Sequence, residues 1–195
     1  GAKKKAKKAP KKKASKKPQR KVSKKRSQQR LDNAVRSYIK ERDNWTCCIC
    51  GITRDSITIG HIEWSHKIGR STLSLRWDER NSVCHCSRCH RDWHNCKNTL
   101  ETHKWIDDQW GAGTSLTLEL YSKRQPTIKG TDLDDIEYRI RLEKFYKLKT
   151  DALKEGRMTR DQAMSITWND FYYNEFSSLW KQVIDWNWND PFVQI

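Results

Sequence analysis

An α+β fold is what the sequence predicts: a small core of two strands and a helix, further helices at its flanks, and a disordered basic N-terminal tail. Three observations carry that expectation. Positive charge is concentrated at one end, two Cys-x-x-Cys pairs stand at metal-ligand spacing, and the segments around them recur with strand and helix periods. With 195 residues, 35% hydrophobic and 33% charged, the chain is expected to form one modest domain with appendages. A core so poor in apolar residues gains from a metal staple.

Residues 1–30 form the first region. They hold Lys3, Lys4, Lys5, Lys7, Lys8, Lys11, Lys12, Lys13, Lys16, Lys17, Arg20, Lys21, Lys24, Lys25, Arg26 and Arg30, and no acidic residue. The remaining 24 basic residues equal the 24 acidic ones, so the net charge of +16 belongs wholly to this tail. Built otherwise from Ala, Pro, Ser and Gln, it cannot bury enough surface to offset ordering entropy. It is expected to lie along DNA phosphates and gain affinity from counterion release. No apolar run is long enough for a membrane span or a signal core, and Lys5 stands where a myristoylation signal needs Ser or Thr. Six of seven cysteines crowd between Cys47 and Cys89 as pairs, which is not a secreted disulfide framework. No membrane partner is expected, and the location implied is cytoplasmic.

The second region, 31–112, is expected to be the core. Leu31, Val35, Tyr38 and Ile39 make one apolar helical stripe that leads to the first cysteine pair. Ser56 to Ile62 alternates as a strand and places His61 near its end. Lys67 to Leu75, with Gly69, Ser71, Thr72 and Ser74, predicts a loop, and a short strand is expected around Leu75 to Trp77. From Cys89, the spacing of His90, Trp93, His94 and Lys97 predicts a helix, and Asn98 to Trp110 another that Gly111 ends. The third region, 113–195, is expected to be mostly helical. Within it Thr114 to Tyr121 alternates like a strand, with a helix as the open alternative, and Asp132 to Glu155 is a helix that Thr131 can cap. Thr159 with Gln162 makes a capping box, and the aromatic-rich end from Met164 is either core or a docking surface for a phage or host protein.

The chemistry lies in the core. Four thiolates from Cys47, Cys50, Cys86 and Cys89 give tetrahedral Zn²⁺ a closed, structural shell, with Cys48 and Cys84 as competing neighbours. Phosphodiester hydrolysis needs a base, a divalent ion and a group that orients them. His61 can be the base. His90 and His94, four residues apart, can hold the ion on one helix face, and the Asn81 amide can fix a backbone or an imidazole.

This ordered set resembles the HNH, or ββα-metal, endonucleases: Cys-x-x-Cys, then Gly60-His61-Ile62, then Asn81, then Cys-x-x-Cys-His ending at His90. Within that group it is most similar to the phage NinG/Rap recombination endonucleases. The likeness rests on the Arg42-Asp43 lead-in, Gly60-His61 and Arg76-x-x-Glu79-Arg80-Asn81, and spans roughly Leu31 to Leu153. The resemblance implies a zinc-stapled HNH core with His61, Asn81 and His90 catalytic, and a Mg²⁺ or Mn²⁺ ion beside the structural Zn²⁺. The substrate it implies is branched recombination DNA, a Holliday junction or D-loop, in the cytoplasm of the host cell if the chain is phage-encoded. Gly60 and His90 depart from the family pattern, since many HNH enzymes have an acidic residue or His at the first position and NinG-like chains tend to have Asn at the second. A junction-cutting enzyme usually works as a symmetric dimer, for which Asp132 to Glu155 is a candidate interface. Two other functions fit the same motifs: an HNH nuclease acting on unbranched DNA, and a non-catalytic zinc module that tethers DNA.

Overall fold

The computed structural model describes residues 22–56, 61–124 and 131–168, in which six α-helices and one two-stranded antiparallel sheet give an α+β fold. Its frame is a pair of long helices, α1 (Lys24–Arg42) and α5 (Ile136–Lys154). Contacts advance together along both, from Lys24 with Asp134 through Arg30 with Glu143 to Glu41 with Lys154, so the two helices run in parallel. The apolar stripe Leu31, Val35, Tyr38 and Ile39 is buried as its spacing predicts, against Leu142, Phe145 and Tyr146. This face of α5 packs within the chain.

α1 starts earlier than the sequence suggested, so Lys24, Lys25, Arg26 and Arg30 lie on a helix and not in a disordered tail. The causes are polar, a local cap and two long-range ion pairs, which is why hydrophobic periodicity did not reveal them. Ser23 Oγ accepts the Arg26 N–H at 3.3 Å, and the ion pairs of Lys24 (3.0 Å) and Arg30 (2.9 Å) tie the new turns to the other long helix and its lead-in. The tail residues before position 22, and the aromatic end after Trp168, lie outside the described residues. Trp168 itself packs edge-on against Tyr138 and Phe145. At α5 the cap is Asp135 in place of Thr131: its Oδ1 accepts from Glu137 N–H at 2.5 Å and Tyr138 N–H at 3.0 Å, after a 3₁₀ turn at Asp132–Asp134. The capping box of α6 (Arg160–Ser165) forms as expected between Thr159 and Gln162.

The sheet packs against α1. β1 (Ile62–His66) pairs with β2 (Ser82–Cys86), Ile62 opposite Cys86 and His66 opposite Ser82. Both strands differ from expectation. Arg54–Ser56 is a 3₁₀ turn, positions 57–60 are outside the described residues, and the strand runs onward from Ile62. The segment Leu75 to Trp77 is not a strand, because its side chains are already fastened elsewhere. Arg76 forms a two-pronged pair with Asp32 at 2.8 and 2.7 Å, Trp77 Nε1 donates to Asp32 at 2.9 Å, and the Tyr146 hydroxyl donates to the Trp77 carbonyl at 2.7 Å.

Alternation places the two faces of β2 in different surroundings. Cys84 turns to α1, where its thiol meets the Ile39 carbonyl at 3.6 Å, while Val83 packs with Leu75, Ile106 and Leu118. Those last partners come from α3 (Thr99–Trp110) and α4 (Thr114–Arg124). α4 is the segment whose alternation suggested a strand. It is a helix capped by Asp107, whose Oδ1 accepts from Ser115 N–H at 2.7 Å. Of its alternating leucines only Leu118 is buried, while Leu116 and Leu120 are 58% and 46% exposed.

Buried charge locks the frame to the sheet. The Arg42 guanidinium binds Asp43 at 2.8 Å through two nitrogens and the carbonyls of Glu79 and Ser82 at 2.9 and 2.8 Å. Lys149 reaches Glu79 at 2.9 Å, and Glu79 also accepts from the Tyr38 hydroxyl. Each such group is paired, as burial of charge requires. No described helix is long and apolar enough to cross a membrane.

Candidate metal centre and active site

The first cysteine pair sits on a tight turn between α1 and β1. Gly51 N–H donates to the Cys47 carbonyl at 3.0 Å, and Gly51 takes the left-handed backbone (φ 69°) that lets the chain reverse after Cys50. The second pair lies where β2 passes into α2 (Ser87–His94): Cys86 caps the helix and Cys89 is on its first turn. A backbone bond from Cys48 N–H to the Cys84 carbonyl, 2.9 Å, holds the two pieces together.

The sulfurs of Cys47, Cys50, Cys86 and Cys89 all lie within 4.8 Å of one another, and Cys50 and Cys86 are 3.8 Å apart. Four sulfurs about 2.3 Å from a tetrahedral Zn²⁺ stand about 3.8 Å from each other, so the cluster fits a structural zinc ion. Among the described residues no other group of His, Cys, Asp and Glu gathers three ligand atoms so closely. Burial, then the negative charge on Cys47, pushes the Cys89 thiol well up from its ordinary value. Of the two competing neighbours, Cys84 is committed to α1, and Cys48 packs with the Leu75–Ile106 cluster. Neither joins the four.

The histidines gather on the sheet face turned to α2. His61 precedes β1 and is exposed, its N–H donating to Ser87 Oγ at 3.2 Å. Glu63, two residues on and on the face shared with its partner His85, receives the Ser87 hydroxyl at 2.8 Å and His90 Nδ1 at 2.5 Å. Partial burial raises the Glu63 carboxyl, but the bonds from His90 and Ser87 and the nearby His90 and His61 outweigh it and hold the group below its ordinary value. On α2 the Nε2 atoms of His90 and His94 are 3.2 Å apart. Two imidazole nitrogens about 2.1 Å from one ion stand roughly 3.0–3.4 Å from each other, so this pair fits two adjacent ligands of a single divalent ion. Comparisons with protein-family models, with curated proteins and with solved structures return no match.

Asn81 is also on the way to this face, yet it does not reach the histidines. Fully buried, it donates to the carbonyls of Ile68 (3.0 Å) and Leu75 (2.9 Å) and accepts from Ile68 N–H (2.7 Å), so it takes the backbone-fixing role of the two that its amide allows. It thereby braces the long loop between the strands. Asn81→Ala takes this partner from the Ile68 N–H and carbonyl, while the Leu75 carbonyl keeps the Asp78 N–H at 3.2 Å, and is expected to cost about 2–6 kcal/mol, since each unpaired buried group costs about 1–3. Urea unfolding with zinc content checked would measure it, and an unmoved midpoint would refute the role.

Two other histidines are withdrawn from chemistry. His66 gives its Nε2 proton to the Arg76 carbonyl at 3.0 Å, and burial, aided by Arg70, lowers it to about 4. His85 is fully buried, and burial, with His90 and His94 nearby, lowers it likewise to about 4. Sequence reasoning missed Glu63 and Ser87 altogether. The signal was the two-residue step from His61 to Glu63, which marks one strand face once β1 is placed correctly.

Proposed function

We propose that this chain is a metal-dependent DNA endonuclease of the ββα-metal type that cuts branched recombination DNA. The observation that carries the reading is the convergence of His90 and His94 through Nε2 atoms 3.2 Å apart, beside an exposed His61, on a β-β-α unit stapled by four cysteines. Zn²⁺ would be held by Cys47, Cys50, Cys86 and Cys89, and Mg²⁺ or Mn²⁺ by His90 and His94. A divalent ion at the second site supplies charge neutralisation for the phosphate and the leaving oxygen. His61, reachable by solvent, takes the proton of the attacking water at its imidazole. Ser87 fixes the backbone of His61, so the base is held against the first turn of α2. Asn81 keeps the loop between the strands in place. The basic N-terminal region, with 16 Lys and Arg before position 31, supplies phosphate contact and no base-specific information.

The preference for branched DNA rests on the likeness of Gly60-His61 and Arg76-x-x-Glu79-Arg80-Asn81 to the NinG/Rap pattern. Matched Holliday-junction, D-loop, flap and linear substrates, each with Mg²⁺ or Mn²⁺, test it. Junction or D-loop cleavage in excess of linear cleavage is expected. Equal cutting of all four would indicate a general nuclease, and binding without cutting would indicate a zinc tethering module.

A further inference from the structure

The geometry points to Glu63 as a positioning residue that sets the tautomer of His90, and so decides whether the second ion site exists. This rests on the reading of His90 and His94 as ion ligands. A carboxylate offers acceptors only, so the 2.5 Å contact of Glu63 Oε2 with His90 Nδ1 requires the proton to be on Nδ1. In the neutral ring Nε2 then keeps its lone pair, 3.2 Å from the Nε2 of His94. Without an acceptor at Nδ1, a neutral imidazole favours the proton on Nε2, where it blocks a ligand position. Metal-bound histidines commonly have such a carboxylate behind them, because it fixes both ring orientation and tautomer.

Glu63 is itself held. Its other oxygen receives the Ser87 hydroxyl at 2.8 Å, and its backbone lies opposite His85 in the sheet. The carboxylate is therefore anchored by the strand and by the first residue of the helix that carries both ligands. Its place on a strand also explains why a shorter side chain would not substitute: Asp at this position withdraws the oxygens from His90 by one methylene.

The test uses the full-length, zinc-loaded chain with labelled histidine. Long-range ¹⁵N–¹H spectra of the protein without added Mn²⁺ read the His90 tautomer, assigned with His90→Asn, and Mn²⁺ titration reads the second site. The wild-type protein is expected to show His90 protonated at Nδ1. Glu63→Ala is expected to shift it to the Nε2–H form and to weaken Mn²⁺ binding about 10–100-fold. Glu63→Gln, which keeps an oxygen acceptor, is expected to retain the tautomer and most of the affinity, and serves also if the Ala variant folds poorly. Nε2–H in the wild type, or an unchanged tautomer and Mn²⁺ affinity in Glu63→Ala, would overturn the proposal. A wild-type chain with the Nδ1–H tautomer that binds no Mn²⁺ would instead sink the nuclease reading and leave the role of Glu63 in ring positioning supported.

Discussion

His61→Ala is expected to abolish cleavage while fold, zinc content and DNA affinity stay near wild type. A general base acts on the chemical step and not on ground-state binding, so the loss should appear in single-turnover rate and not in the binding curve. General bases contribute about 10²–10⁴-fold, and a loss in that range is expected here. Its exposure and its backbone bonds to Ser87 mean that removing the ring leaves packing undisturbed. Of the other histidines, His66 and His85 are buried and held neutral, so neither can take over. The measurement is quenched-flow or gel-based cleavage of junction DNA at saturating enzyme. Wild-type turnover by His61→Ala would remove His61 from the mechanism, and His94 would become the base to test.

The second large effect is on folding. Cys50→Ser is expected to abolish zinc binding and the cooperative unfolding transition together. Cys50 is the exposed member of the four, so replacing its sulfur by oxygen costs little in packing and isolates the ligand effect. Structural zinc sites contribute roughly 10–16 kcal/mol of apparent binding free energy, against a typical net stability of about 5–15 kcal/mol for a whole domain. Loss of one ligand from four therefore exceeds the margin. Cys96→Ser, exposed and outside the cluster, is the control and should change nothing. Elemental analysis and circular dichroism decide the matter: a zinc-free but cooperatively folded Cys50→Ser protein would show that the cluster is not a structural metal site.

The parts of the site that were legible in the sequence are those whose chemistry depends on short, fixed spacings. Cys-x-x-Cys brings two sulfurs to one point whatever surrounds it, and residues four apart on a helix share a face, which is why the four cysteines and the His90–His94 pair fell where expected. Glu63 was hidden because placing the strand on the β-branched run before His61 left it outside the strand, when in fact the strand begins one residue after His61. The early start of α1 depends on ion pairs with residues more than a hundred positions away, which no local pattern encodes. The leucines of α4 alternate, but the cap from Asp107 and the packing of Leu118 alone determined a helix. Propensity yielded to tertiary context there.

The parallel pairing of α1 with α5 has a bearing on synthesis. The stretch from Cys47 to Cys89 is complete well before Ile136–Lys154 leaves the ribosome, so the zinc ligands are all present while the partner of α1 is still to come. In that interval Leu31, Val35, Tyr38 and Ile39 lack the Leu142, Phe145 and Tyr146 that later cover them. A metal bound at the four cysteines in that interval would hold the sheet and α2 together beside an uncovered apolar helix, onto which the later long helix would then dock.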